Sequence, residues 1–170
     1  VLSPILIIVF LLGFIDSNSP IFIQERVGRN KKPFKLFKFR TMPVKTKSVA
    51  SHLVDNRSIT FYGSILRKTK LDELPQLWNV LTGDMSLVGP RPERPLYVEK
   101  FRKDIPAYML RHKMKAGMTG WAQINGWRGD TSIEKRIECD LYYIRNWSLW
   151  MDISIVAMTF WKGFINKNAY

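Results

Sequence analysis

Cysteine is nearly absent from these 170 residues: Cys139 stands alone, so no disulfide can close within the chain and no thiolate metal site can be assembled. An unpaired thiol suits a reducing compartment, and with no activating base beside it Cys139 is read as a small buried side chain. Histidine is almost as scarce, and His52 and His112 are both placed at the surface. Acid is in short supply, with 14 Asp and Glu against 27 Lys and Arg, for a formal charge of +13 at pH 7. No Walker, dinucleotide or zinc spacing occurs, and neither does an internal repeat or a low-complexity tract. Long hydrophobic runs are missing too. The run from Val1 to Ile15 is broken by Ser3, Pro4 and Gly13, whereas a membrane-crossing helix needs about 17–25 apolar residues. A secretory signal is set aside, because no basic segment precedes that run and residues 15–20 form no convincing cleavage site.

What is present is enough apolar material for one folded domain: 46% of residues are hydrophobic, including 10 Phe, 6 Trp and 6 Tyr, which excludes a disordered tail. The surplus of positive charge calls for an anionic partner, for which nucleic acid, an anionic membrane surface and a phosphorylated substrate all qualify. The chain begins at Val1, so it is read as a piece of something longer. Ser3-Pro4 fits two readings, a bend in a membrane-inserted helix or the first turn of a core helix.

Residues 21–27 and 34–40 nearly alternate in polarity around Gly28-Arg29-Asn30-Lys31, which predicts a β-hairpin. Phe34, Leu36, Phe37 and Phe39 break strict alternation, so the second strand carries a bulge or is covered on both faces. From Arg26 to Lys47 there are nine basic residues and no acid, interleaved with aromatics, which favours a phosphate or membrane-surface role over a freely solvated face. Residues 42–60 lack periodicity and are expected to form a mobile loop.

Helical periodicity returns at Ser64-Ile65-Leu66-Arg67, and a short helix is predicted beyond Leu71. Asp72 is its expected N-cap and Pro75 falls in its first turn. Leu74, Leu77, Trp78 and Leu81 form its apolar face, and Gly83 ends it. Asp72 and Glu73 lie among Arg67, Lys68 and Lys70 at the positive end of that helix, so both are expected to ionise. Carboxylates held there serve as ordinary caps, or as a nucleophile or metal ligands. Two prolines flank Arg91 and stiffen the loop presenting it, which fits either a phosphate clamp or a rigid connector. Trp147, Trp150, Met151, Phe160, Trp161 and Phe164 give a C-terminal helix an aromatic side suited to a headgroup boundary or to a core. Asp152 within it needs a polar partner.

These stretches together resemble the bacterial sugar transferases, the monotopic polyprenyl-phosphate phosphoglycosyl transferases. The resemblance rests on Phe37-Lys38-Phe39-Arg40-Thr41-Met42, on Leu66-Arg67 followed by Leu71-Asp72-Glu73-Leu74-Pro75-Gln76-Leu77-Trp78-Asn79-Val80-Leu81, and on Gly83-Asp84-Met85-Ser86-Leu87-Val88-Gly89-Pro90-Arg91-Pro92-Glu93. It continues through Lys115-Ala116-Gly117-Met118-Thr119-Gly120-Trp121-Ala122-Gln123-Ile124-Asn125-Gly126 and Asp140-Leu141-Tyr142-Tyr143-Ile144, and so covers nearly the whole chain.

The resemblance implies an α+β fold, predominantly helical with a small β-hairpin, in a membrane-associated monotopic domain. Residues 1–19 would be the C-terminal arm of a truncated re-entrant helix bent at Ser3-Pro4. Residues 20–170 would be the cytosolic catalytic domain with interfacial helices. The implied activity is transfer of a sugar-1-phosphate from a UDP-sugar to undecaprenyl phosphate, through a covalent aspartyl-phosphosugar intermediate and with release of UMP. That is the first membrane step of exopolysaccharide or capsule synthesis. It makes Asp72 and Glu73 the catalytic pair and the ligands of Mg²⁺, and Lys38, Arg67 and Arg91 the phosphate contacts, with Arg40 a weaker candidate. The C-terminal third is most similar to the branch that uses UDP-glucose, whose members often carry transmembrane helices and a regulatory domain upstream. Location at the cytoplasmic face of the bacterial inner membrane follows, with an anionic membrane surface as partner, nucleic acid not expected, and self-association left open. The residues 43–56 are basic where the family leads one to expect acid, which leaves an acceptor-side loop unassigned. A catalytically inert membrane adaptor and a nucleic-acid-binding module are the alternatives. The second lacks a recognition helix or an aromatic RNA motif.

Overall fold

The described residues form two small sheets of different kinds, of which the polarity pattern predicts only the first. A computed structural model describes residues 3–46, 58–129 and 131–163. After helix α1 (Ser3–Ser17), strands β1 (Ile21–Val27) and β2 (Pro33–Phe39) pair antiparallel across a 3-10 turn at Arg29–Lys31. The register runs without a break from Ile21 opposite Phe39 to Val27 opposite Pro33, so there is no bulge. Leu36 and Phe39, on opposite faces of β2, are both buried, and the broken alternation therefore records a strand covered on both sides. Strand β2 starts and ends one residue earlier than the sequence pattern predicts.

Helices α2 (Phe61–Thr69) and α3 (Gln76–Leu81) follow, separated by a 3-10 turn at Leu71–Glu73. A second sheet, not anticipated from the sequence, pairs β3 (Met85–Val88) parallel to β4 (Ala116–Thr119) across α4 (Pro95–Asp104) and a 3-10 stretch at Tyr108–Lys113. The two strands close up because glycine faces glycine: a Cβ on Gly117 would overlap the backbone of Gly89. Helices α5 (Trp121–Ile124), α6 (Ile133–Arg145) and α7 (Leu149–Gly163) complete the described chain, which is α+β and mostly helical, as expected.

Apolar side chains gather in three clusters, and these position the site. Val9, Phe39 and Leu66 join α1, β2 and α2, and Leu71 packs against them. Val27, Val98, Tyr108 and Ile137 form the second cluster, and Val88, Ile124, Tyr143 and Ile155 the third. The segment from Val88 to Glu93 thus runs from the third cluster to the second, where Glu93 bridges to Val27. Helix α1 docks on α2: the Tyr62 hydroxyl donates to the Val9 carbonyl, and the Thr60 hydroxyl donates to Asp16 at 2.9 Å. Pro4 lies in its first turn. With 15 residues it spans about 22 Å, and no described helix is long and apolar enough to cross a membrane.

Three expectations are corrected. Asp72 does not cap α3; that helix is entered through Pro75 with no side-chain cap, and the capping residue nearby is Thr60, whose hydroxyl accepts from the Gly63 amide at 2.9 Å. The expected apolar face of α3 is not its buried face. Gln76 and Asn79 are sealed while Trp78 and Leu81 are exposed, because Asn79 serves β2: it accepts from the Phe37 amide at 3.1 Å and donates to the Lys35 carbonyl at 2.7 Å. His112 is buried rather than superficial, packed against the Tyr108 ring. Cys139 is half-buried and unpaired. Asp152 has its polar partners, accepting from the Tyr143 hydroxyl at 2.6 Å and the Trp147 indole at 3.1 Å. His52, the central part of the 42–60 loop and the chain beyond Gly163 lie outside the described residues.

Candidate active site

Helix α2 stops because Lys70 takes a left-handed conformation, φ 58°, which is uncommon for a residue with a side chain. The reversal throws the chain into the tight turn Leu71-Asp72-Glu73, held by Leu74 N–H donating to the Leu71 carbonyl at 3.1 Å. Gly83, at φ +85°, closes α3 as expected.

Glu73 is the hub. Its Oε1 accepts from Lys38 Nζ of β2 at 3.0 Å and from Arg91 Nη2 at 2.8 Å, so residues 35 positions upstream and 18 downstream meet on one oxygen. Burial alone would raise the Glu73 pKa, but Arg91 and Lys38 hold it well below the usual carboxylate range. Burial likewise pulls Lys38 below an ordinary lysine against the attraction of Glu73. Asp72 differs from its neighbour. It makes no ion pair or hydrogen bond through its carboxylate to any described residue, and burial, with repulsion from Glu73, pushes its pKa up to about 6 despite the pull of Lys38, Arg67 and Arg91. A carboxylate with no direct partner among the described residues and short of solvation is a better nucleophile than one already neutralised.

All five expected residues therefore belong to one constellation. Arg67 is steered into it from α2: its Nε donates to the Thr41 hydroxyl at 3.0 Å, and this approach exists because Gly63 has no Cβ to collide with the Thr41 backbone. Arg91 is held at both ends of its fork, with Nη1 donating to Gln123 Oε1 at 3.1 Å while Nη2 reaches Glu73. Arg40 is excluded from the group. Its guanidinium donates to the Ser19 and Ile21 carbonyls and lies 5.5 Å from the Phe22 ring, a structural role.

Sequence reasoning missed Thr41, Gln123 and Arg128. Thr41 and Gln123 lie within the stretches that carry the family resemblance, yet nothing local to them signals contact with arginines 26 and 32 positions away. Arg128 acts through its charge, lowering the Glu73 pKa and that of Lys70. As a metal site the donor set is partial. Asp72 and Glu73 are adjacent carboxylates, and among the described residues no group of three or more His, Cys, Asp or Glu could hold a metal ion. Two carboxylates suit Mg²⁺ whose remaining ligands come from a bound diphosphate and water, and do not suit an all-protein cage.

The chain matches the family model for bacterial sugar transferase over residues 1–166. It is 52% identical to the UDP-glucose:undecaprenyl-phosphate glucose-1-phosphate transferase of Escherichia coli (strain K12), over 99% of this chain and 38% of that protein. It is 41% identical to the UDP-N-acetylgalactosamine-undecaprenyl-phosphate N-acetylgalactosaminephosphotransferase of Aeromonas hydrophila, over 92% of this chain and 38% of that one. Against the sugar transferase EpsL of Bacillus subtilis (strain 168), whose own role is uncharacterized, the identity is 45% over 88% of this chain and 73% of the relative. The chain thus spans little more than a third of the first two. It belongs to the bacterial sugar transferase family.

Proposed function

We propose that, as a member of this family, the chain carries the catalytic centre that moves glucose 1-phosphate from UDP-glucose to undecaprenyl phosphate through Asp72. The sugar and acceptor are those in the names of several relatives. An Asp72 oxygen attacks the β-phosphorus of the UDP-sugar; the bond from that phosphorus to the bridging oxygen breaks, and UMP leaves with the electron pair. A phosphate oxygen of undecaprenyl phosphate then attacks the same phosphorus, displaces Asp72 and restores its carboxylate.

One observation carries the assignment of the nucleophile: Glu73 takes the direct bonds from Lys38 and Arg91, and among the described residues Asp72 is left without one. Three cationic side chains, Lys38, Arg67 and Arg91, surround two carboxylates, which leaves positive charge for the transferred phosphoryl group. Arg91 presents a planar fork to it, and Lys38 a point charge. Asp72 and Glu73 would hold Mg²⁺, which when bound neutralises the diphosphate and spreads the charge that develops on its oxygens. Reading this chain as an adaptor would leave a desolvated Asp72 with a raised pKa without use.

The membrane face is also proposed, at the cytoplasmic side of the inner membrane, with α1 the arm of a re-entrant helix. Most apolar side chains of α1 are exposed, as are Phe61 of α2, Trp78 and Leu81 of α3, and Trp150, Phe160 and Trp161 of α7. Such surfaces suit the headgroup boundary, and the net positive charge suits anionic lipid. Flotation of the full-length protein with anionic vesicles should weaken but persist at high salt, since screening removes only the electrostatic part.

The decisive test of the chemistry is Asp72→Asn in the full-length protein, assayed for UMP release from UDP-glucose with undecaprenyl phosphate and Mg²⁺. Turnover should drop by more than about a thousandfold, with the melting temperature unchanged or raised, because a repelled and desolvated charge is removed. Comparable turnover of the two proteins would end the Asp72 assignment.

A further inference from the structure

Arg91 stands in a loop whose backbone is held by more than its two prolines. Three arginines from separate parts of the fold grip three consecutive residues. Arg111 Nη2, from the 3-10 stretch before β4, donates to the Arg91 carbonyl at 2.9 Å. Arg26 Nη1, from β1, donates to the Pro92 carbonyl at 3.0 Å. Arg136 Nη1, from α6, donates to Glu93 Oε1 at 2.9 Å. Backbone bonds complete the clamp: Gly117 N–H donates to the Pro90 carbonyl at 3.0 Å, and Val27 N–H to the Glu93 carbonyl at 2.9 Å.

Arg111 is the most deeply placed of the three. Its side chain is 2% exposed and pairs with Asp140, 3% exposed, at 2.7 Å. A second nitrogen, Nη1, reaches the Tyr108 hydroxyl at 3.4 Å, and the guanidinium lies 5.4 Å from that ring. Sealing an ion pair this completely is not an economical source of stability, because desolvation consumes most of the Coulomb attraction and apolar replacements of the same size are often as stable or more so. What an apolar pair cannot do is donate to a carbonyl. The carbonyl concerned belongs to the residue whose side chain meets Glu73 and Gln123, so Arg91 is fixed at its backbone by Arg111 and at its tip by those two. With the backbone free to shift, the four side-chain torsions of Arg91 would carry that shift to the guanidinium, and misplacement by about 1 Å costs transferase chemistry on the order of a hundredfold.

We infer that Arg111, backed by Asp140, is a positioning residue for Arg91: its bond to the Arg91 carbonyl sets the guanidinium against Glu73 before a diphosphate arrives. The kinetic part of this inference rests on the phosphoglycosyl transfer proposed above; the geometric part does not.

The test compares full-length Arg111→Met, the double variant Arg111→Met/Asp140→Leu and Arg111→Lys with the wild type, by melting temperature and by UMP release. Arg111→Met alone should be unstable. The double variant should melt close to the wild type while its kcat stays about ten- to a hundredfold low, with KM for the UDP-sugar changed less. Stability restored together with full turnover would overturn the inference, because the pair would then be serving the fold alone. Should the double variant fail to fold, Arg111→Lys decides: it keeps a charge beside Asp140, but a shorter side chain replaces the planar group whose Nη2 meets both Asp140 and the Arg91 carbonyl, so a lowered kcat is expected and a wild-type kcat overturns the idea. If the wild type itself releases no UMP, phosphoglycosyl transfer is what has failed. The geometry is then read from the guanidinium ¹⁵N signals of Arg91, expected to show hindered rotation in the wild type and averaging in the folded variant. Unchanged signals would overturn the inference independently of activity.

Discussion

The cluster around Glu73 and the pair around Asp140 are made of the same chemistry, a carboxylate gripped by arginine, and they differ in two respects. The side chains of Lys38, Glu73 and Arg91 keep between 16% and 26% of their exposure, whereas Arg111 and Asp140 keep 2% and 3%. The first cluster sets three cations against Asp72 and Glu73, while the second sets Arg111 against Asp140, with Arg136 and Glu93 matched beside it at 2.9 Å. Partial exposure and unbalanced charge leave room for an anionic ligand to exchange with Glu73. Full burial and matched charge produce a fixed part. Burial and charge balance, more than residue type, separate the candidate binding site from a scaffold here.

Breaking the sealed pair on one side should have the largest effect on stability. Asp140→Asn leaves the Arg111 guanidinium buried without its nearest counter-charge; in the native protein burial depresses the Arg111 pKa, and Asp140, Tyr108 and Glu93 together outweigh it. A loss of about 3–5 kcal/mol is expected, read from denaturant unfolding. Glu73→Gln, in the less deeply buried cluster, should cost less, about 1–3 kcal/mol by the same measurement, since some water can reach the partners it releases. Equal losses at the two sites would erase the distinction.

Arg91→Lys sharpens the comparison from the other side. Lysine keeps the charge but cannot bond Glu73 and Gln123 from opposite arms of a fork, so kcat/KM should fall about tenfold while stability moves by less than about 0.5 kcal/mol. Unchanged kinetics would return Arg91 to the role of a connector.

The smallest effect concerns pH and His112, next to Arg111 in the sealed region. Burial, with repulsion from Arg111 and Lys31, lowers its pKa from 6.5 to about 4. The folded state holds His112 neutral while the unfolded chain takes up a proton below pH 6.5. This contribution to stability is therefore complete above pH 6.5 and is lost as pH falls towards 4. Melting temperatures of wild type and His112→Asn should converge across that window; parallel curves would show that His112 does not titrate differently in the two states.

Much of the candidate site's geometry was legible in the chain. Lys38, Arg67, Asp72, Glu73 and Arg91 all meet, and the hairpin, the proline-flanked loop and the partnered Asp152 are where their residues predict. The errors share a cause. A helical periodicity of Leu74, Leu77, Trp78 and Leu81 names an apolar face but not what lies opposite it, and the polar face of α3 went inward because Asn79 satisfies the backbone of β2. His112 was misplaced because burial is decided by Tyr108 and its surroundings, not by the basic residues flanking it in sequence.

The sequence by itself determined the charge surplus, the hairpin, the order of the motifs and the family, because these depend on composition, short-range pattern and local turn chemistry. Only the tertiary structure decided that Glu73, and not Asp72, takes the bonds from Lys38 and Arg91, that Gln123 holds the other arm of Arg91, and that Arg111 and Asp140 stand behind its carbonyl. The physical reason is that direct electrostatics and hydrogen bonding act over a few ångströms in space, between residues up to 35 positions apart in the chain for Lys38 and Glu73 and 32 for Arg91 and Gln123, so no local pattern encodes which oxygen each cation will reach.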